Sequence, residues 1–254
     1  PTRSVAQSPS PFGPPPASVG RLMEQLQGFA IFDPQTPVLR ATQTDYGWGA
    51  VGIHGGRLAE AVSELRAGAR FGPMPLGELL ELLDWASDVS AAQPTPDLLS
   101  PSVPASRQIV RFVDKYMKRG RNKLSGYDAS EGALYVLFVL ALVFHPRAPS
   151  FLAIENFDHA LHARLARRLM SVVAEYVLGG SRQVIVTTQN PLVLDALDLA
   201  DDRIRLLAVN RTGSGHTSVR RIVHTEALAK SLKEGLTLSR LWVQGWLGAV
   251  PELM

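Results

Sequence analysis

The sequence predicts an α/β fold with a mostly parallel sheet flanked by helices. Three observations predict it. Short apolar runs at residues 151–154, 183–187 and 204–209 have the length of buried strands. Residues 161–178 lie between the first two and carry apolar residues at helical spacing, ending at Gly179-Gly180. Strands alternating with helices imply central strands that are parallel and buried on both faces.

The elements follow in order. Residues 1–18 are rich in Pro and Ser, with Pro14-Pro15-Pro16, and read as a flexible, extended segment. Residues 19–254 read as one lobe, with a helical or inserted part at 19–123 and a second part at 124–254. Residues 20–28 suit a short helix. Phe29-Ala30-Ile31-Phe32 suits a strand stopped by Asp33-Pro34. Helical spacing recurs at 56–66, through Leu58, Ala61, Val62 and Leu65, and at 75–85. Residues 91–104 are loop-like and 109–113 suit a strand. From Ser130 to Phe144 the chain reads as a strongly apolar helix. A helix with proline in its first turn is expected at 191–197, and a last strand at 218–223.

At 254 residues the chain is long enough to bury one sizeable core. The formal charge of +3 is too mild to imply nucleic acid by itself. Cysteine is absent, which excludes disulfides, thiol nucleophiles and zinc-thiolate sites and fits a cytoplasmic setting. The N-terminus has no apolar signal core, and the run 133–144 is too short to span a bilayer. The chain starts at Pro1 rather than Met, which suggests a processed or partial chain.

Three segments carry chemistry. The apolar run Phe151-Leu152-Ala153-Ile154 ends in Glu155-Asn156, so a carboxylate stands at the carboxyl edge of a sheet, where ligands bind in open α/β folds. An acidic residue at a strand exit is also common without any ligand. Upstream, Ser130-Glu131-Gly132 opens the apolar helix. It offers a hydroxyl and unobstructed N–H groups suited to a phosphate, or a plain N-cap. Downstream, the strand at 183–187 runs into Thr188-Gln189-Asn190-Pro191, whose polar side chains would lie beside Glu155.

The order of these segments resembles the ABC-superfamily ATPases that include SMC, RecF and OLD proteins and their standalone bacterial AAA-type relatives, often found in anti-phage defence. Ser130-Glu131-Gly132-Ala133-Leu134 resembles their signature. Ile154-Glu155-Asn156-Phe157-Asp158-His159-Ala160-Leu161-His162 resembles their Walker B region, and Thr187-Thr188-Gln189-Asn190-Pro191 their switch. Phe32-Asp33-Pro34, the later Gly55-Gly56-Arg57-Leu58-Ala59 and the tail from Leu238 to Gly248 also follow the family pattern. The resemblance covers residues 29–250 and is strongest over 124–197.

The resemblance implies a P-loop NTPase lobe that binds ATP with Mg2+ and dimerises on ATP. It implies that Glu155 holds the metal and that Ser130, Glu131 and Gly132 meet nucleotide across a dimer. The sequence departs from the family in three places. No Gly-Lys dipeptide occurs, so a Walker A motif is expected on an N-terminal lobe or another chain. Asn156 stands where the family has a water-activating glutamate, and an amide cannot take a proton at neutral pH. Asp158 is a substitute if the strand continues that far. Gln189 replaces the switch histidine. These changes favour slow hydrolysis, with Asn156 and Gln189 placing the water, or a nucleotide-dependent switch.

Lys115, Lys118, Arg119, Arg121 and Lys123 cluster before the signature and suit DNA or RNA phosphates, or a solvated loop. Tyr116 and Tyr127 offer stacking faces. His159 and His162 read as a helix-start pair rather than metal ligands. Trp242, Trp246, Leu241 and Leu247 form an apolar stripe, read as core or docking surface. Two functions are expected to compete. One is an ATPase subunit of a homodimer or higher oligomer in DNA-linked or defence processes, without membrane contact. The other is a degenerate ATPase-fold scaffold holding an effector such as a nuclease or toxin.

Overall fold

The computed structural model describes residues 17–45, 49–68 and 76–248. The flexible segment expected at the N-terminus lies outside these residues up to Pro16. The helix after it starts at Ala17, earlier than the sequence pattern suggests.

The chain order is α1 (Ala17–Gln27), β1 (Ala30–Phe32), α2 (Thr36–Leu39), α3 (Leu58–Arg66), α4 (Leu76–Leu82), β2 (Ala86–Ala92), β3 (Ile109–Asp114), β4 (Lys123–Ser125), α5 (Glu131–Phe144), β5 (Phe151–Ile154), α6 (Ala163–Leu178), β6 (Gln183–Val186), α7 (Pro191–Leu194), β7 (Leu206–Arg211), β8 (Thr217–Ile222), α8 (Glu226–Lys233) and α9 (Leu238–Val243). The architecture is mixed α/β, with a parallel sheet in the order β1-β5-β6 flanked by helices.

Helix α5 is the centre of the core. Its sequence is apolar on every side, and residues 133–143 are all buried. A helix of that kind is stable only when surrounded. It packs against α2, α3, α4 and α6. Phe32, Leu152 and Ile154 come from one face of the parallel sheet into the same cluster, and Phe32 stacks obliquely on Phe138 at 6.3 Å.

The other face of that sheet differs from the sequence expectation of burial on both sides. Ile31, Ala153 and Ile185 stand in register across the three strands. Ile31 is 53% exposed and Ile185 48% exposed. Ala153 between them is buried, so this face exposes the two isoleucines at its flanks.

Strands β2, β3 and β4 form a separate antiparallel sheet packed on α3 and α4. The strands at 204–209 and 218–223 pair as the antiparallel hairpin β7-β8 instead of extending the parallel sheet. A short connection joins them, and short connections favour antiparallel neighbours. Ala208 and Ile222 from this hairpin join Leu228, Leu238, Leu241 and Leu247 in a second core. Trp242 packs at its margin and Trp246 is exposed, so the tryptophan pair does not share one environment. Among the described residues no helix is long and apolar enough to cross a membrane.

A buried polar knot fastens the far end of α5. His145 caps it and is fully buried. Its Nε2 lies 3.0 Å from a Glu64 carboxylate oxygen, while its Nδ1 accepts the Arg147 N–H at 3.1 Å. These contacts select the neutral tautomer protonated on Nε2. Burial pushes the His145 pKa down despite the Glu64 contact. Burial raises the Glu64 carboxyl, but hydrogen bonds from Arg147 and His145 outweigh it and leave the pKa below the usual range.

Candidate nucleotide site

Parallel pairing sets Phe32, Ile154 and Val186 side by side. The residues that follow, Asp33, Glu155 and Thr187, therefore leave the sheet together at its carboxyl end. Backbone bonds hold this edge: the Glu155 N–H donates to the Phe32 carbonyl at 2.9 Å, and the Thr187 N–H to the Ile154 carbonyl at 3.1 Å. Glu155 is exposed, and its carboxylate has no hydrogen bond or ion pair among the described residues.

The chain turns sharply after Glu155. Asn156 has φ +50°, in the left-handed region that asparagine tolerates better than most side chains. Its N–H donates to Thr187 Oγ1 at 2.9 Å. Its carbonyl accepts from Tyr135 Oη at 3.0 Å and from the His159 N–H at 2.7 Å. The next residue, Phe157, is fully buried, and its N–H donates to the Thr187 carbonyl.

The strand thus stops at Ile154, so Asp158 does not share a strand face with Asn156. Its carboxylate accepts from the Thr188 hydroxyl at 2.6 Å and, more weakly, from the Gln189 N–H at 3.4 Å. Asp158 ties the loop after β5 to the loop after β6. Gln189 takes part through its backbone, and its side chain is exposed.

The signature segment lies against the same loop. Ser130 is the N-cap of α5, and its Oγ accepts the Ala133 N–H at 3.2 Å. The Glu131 carboxylate accepts from the Thr36 hydroxyl and lies 3.2 Å from His159 Nε2. The Thr36 bond, then the His159 bond and the nearby Arg40 charge, hold the Glu131 pKa below its usual value against the opposing effect of burial. A Cβ on Gly132 would sit 2.7 Å from the Ala160 carbonyl oxygen. Ala160 itself has φ +58°. His162 caps α6, with Nδ1 accepting the Leu165 N–H at 3.3 Å. Both histidines therefore have structural partners.

The basic run forms the tip of the β3–β4 hairpin. Asp114 closes the turn by accepting the N–H groups of Tyr116 and Met117 at 2.7 and 3.0 Å. Lys115, Lys118, Arg119, Arg121 and Lys123 are all exposed, and none forms an ion pair among the described residues. Lys115 lies over the Tyr116 ring at 5.1 Å, and that ring is 74% exposed.

Sequence reasoning missed Asp33, Thr36, Tyr135 and the role of Thr187 as acceptor. One signal was available for Tyr135. It is the sole phenol in an apolar helix, and a buried phenol calls for a partner. Thr36 and Asp33 act through contacts distant in sequence, which no local pattern reveals.

The donors at the sheet edge are two carboxylates and a hydroxyl, the hard oxygen ligands that Mg2+ takes. No group of three or more His, Cys, Asp or Glu among the described residues is arranged to hold a metal alone.

Residues 76–195 match the family described as AAA domain, putative AbiEii toxin, Type IV TA system. A search of curated proteins gives no match. Among solved structures, one reported under ATP-driven dimerization and DNA-stimulated activation of SMC ATPases is 18% identical. The match covers 70% of this chain and 91% of that one, at a TM-score of 0.42. An Smc head bound to the C-winged helix domain of ScpA is 13% identical, covering 78% and 57%, at 0.45. The Pyrococcus furiosus Smc head with an extended coiled coil is 18% identical, covering 70% and 37%, at 0.40. These superpositions are too loose to carry residue roles across. The matched stretch holds the capped helix α5 and the strands β5 and β6 of the parallel sheet, and is similar to that AAA-domain family.

Proposed function

We propose that the chain is the signature- and Walker B-bearing lobe of an ATP-binding and ATP-hydrolysing subunit. The observation that carries this reading is the alignment of Asp33, Glu155 and Thr187 at the carboxyl edge of a parallel sheet. Glu155, exposed and unpaired among the described residues, is the metal-holding carboxylate. Bound Mg2+ would neutralise phosphate charge and orient the nucleotide. Asn156 and Gln189 place the water through their amides. Ser130, Glu131 and Gly132 meet the γ-phosphate held by a second copy, so that ATP drives dimerisation.

The P-loop belongs to a further lobe, on this polypeptide or another. The exposed isoleucines Ile31 and Ile185 on the outer face of the parallel sheet support this, because parallel sheets are covered on both sides. Ile31 and Ile185, exposed on either side of Ala153, mark the surface that lobe would cover. The hairpin cations Lys115, Lys118, Arg119, Arg121 and Lys123 bind nucleic-acid phosphates, in DNA-linked or anti-phage defence. Changing three of them to Glu should abolish DNA binding and leave the fold intact. Retained binding removes the hairpin from the reading.

A second reading has one specific observation in its favour. Asp158, the substitute base, has its carboxylate engaged by Thr188 and Gln189. With Asn156 beside it, the site then has no unengaged base after Glu155, and the lobe serves as a scaffold that restrains an effector such as a nuclease. ATP turnover by the full-length protein, assembled with its P-loop lobe, decides between the two. Mg2+-dependent release of phosphate supports the first reading. Tight ATP binding without release supports the second.

A further inference from the structure

The loop between β5 and α6 is held by the helix that carries the signature. Three residues in the first turns of α5 touch it. Glu131 meets His159, Gly132 lies against the Ala160 carbonyl, and Tyr135 donates to the Asn156 carbonyl. Glu131 and Tyr135 are four residues apart and so share one side of the helix.

The loop needs holding. Two of its residues, Asn156 and Ala160, sit at positive φ without being glycine. Such residues persist only where their surroundings over-determine them. The Asn156 peptide is fixed at both ends, its N–H by Thr187 and its carbonyl by Tyr135 and His159. Of these, only Tyr135 reaches in from the buried core. It is 1% exposed, and its ring stands 6.0 Å from that of His159. Burial, with the charges of Asp158 and Asp33, pushes its phenol pKa up, so the hydroxyl remains a donor at neutral pH.

We propose that Tyr135 is a positioning residue for hydrolysis: its hydroxyl holds the Asn156 peptide in the left-handed turn that presents the Asn156 amide beside Glu155. This rests on the ATPase reading above and adds to it a residue that touches neither nucleotide nor metal. It also makes the signature helix and the Walker B exit of one chain a single mechanical unit.

The test is Tyr135→Phe in the full-length protein, which keeps the ring in the core and removes only the hydroxyl. Two quantities are read. Amide hydrogen exchange at residues 156–160, without nucleotide, reports the turn itself. It should speed up by roughly five- to tenfold, first at His159, whose N–H shares the Asn156 carbonyl. Steady-state ATP turnover should fall in kcat by about the same factor, while KM and equilibrium ATP binding stay within about twofold.

Unchanged exchange overturns the proposal. So does faster exchange with unchanged kcat, since Tyr135 is then only a structural contact. If the wild-type protein binds ATP but releases no phosphate, the hydrolysis reading fails and the positioning role with it. The exchange arm then still shows whether the hydroxyl holds the turn, which separates the two failures.

Discussion

The Thr188 hydroxyl donates to the Asp158 carboxylate at 2.6 Å, joining the loops that follow two neighbouring strands. Asp158 is half-buried and engages the Gln189 N–H as well. A hydrogen bond to a charged group is worth about 1.5–3 kcal/mol, less where water reaches it. Thr188→Val is therefore expected to lower unfolding stability by about 1–2 kcal/mol in urea titrations. A change within experimental error would mean that the two loops are not tied through this pair.

Gly132 is required by close approach rather than by its own φ. Its missing Cβ leaves room for the Ala160 carbonyl, a backbone atom that cannot swing aside. Gly132→Ala should cost about 1–3 kcal/mol, the usual range for overpacking. Gly77 in α4 is the control, since a Cβ there meets nothing within 4 Å. Gly77→Ala should be neutral or stabilising by up to about 1 kcal/mol. Thermal melts of the two variants compare them directly.

Asn156 has two separable reasons to be asparagine, its amide and its left-handed backbone at φ +50°. Asn156→Gly should be close to neutral in stability. Asn156→Glu should lose about 1 kcal/mol, because glutamate enters that region at a cost. A glutamate therefore cannot be placed here without strain. Equal stability of the Gly and Glu variants would refute the conformational reason.

The knot at His145 gives a pH dependence with a definite sign. The folded pKa of His145 is depressed by burial, so its contribution is fully present above the unfolded value of about 6.5. It is lost as pH falls from there through the lowered folded value. Glu64, also depressed, adds a second loss as pH falls below its ordinary value of 4.5 through the lowered folded one. Unfolding free energy should thus decline from pH 7 to pH 5. His145→Gln should flatten that decline while lowering stability at pH 7. A decline of equal slope in the variant would assign it to other groups.

Much of the chain was legible where the signal is local. Ser130 followed by an apolar run reads as a capped, buried helix from the local pattern alone, and the run 133–143 is the centre of the core. The strand Phe151–Ile154 and the helix at Ala163–Leu178 follow from length and periodicity in the same way. What was not legible depends on partners far along the chain. The sequence marks 86–92 weakly, and it becomes β2 only because β3 pairs with it. The β7–β8 hairpin carries strand patterns that suit a parallel sheet equally well until its short turn is considered. In the candidate site the strand end and its carboxylate were readable. The turn at Asn156 was not, because it is imposed by Tyr135, Thr187 and His159 from three different elements.

The most direct test concerns Glu155, the exposed carboxylate at the sheet edge. Phosphate release by the full-length protein, with its P-loop lobe, is measured in Mg2+ and in EDTA, for wild type and Glu155→Gln. The expected result is Mg2+-dependent turnover in the wild type and a roughly hundredfold loss in the variant, with melting temperature unchanged. Turnover that survives in EDTA, or a Glu155→Gln variant as active as wild type, would contradict the assignment of this edge as the metal-nucleotide site.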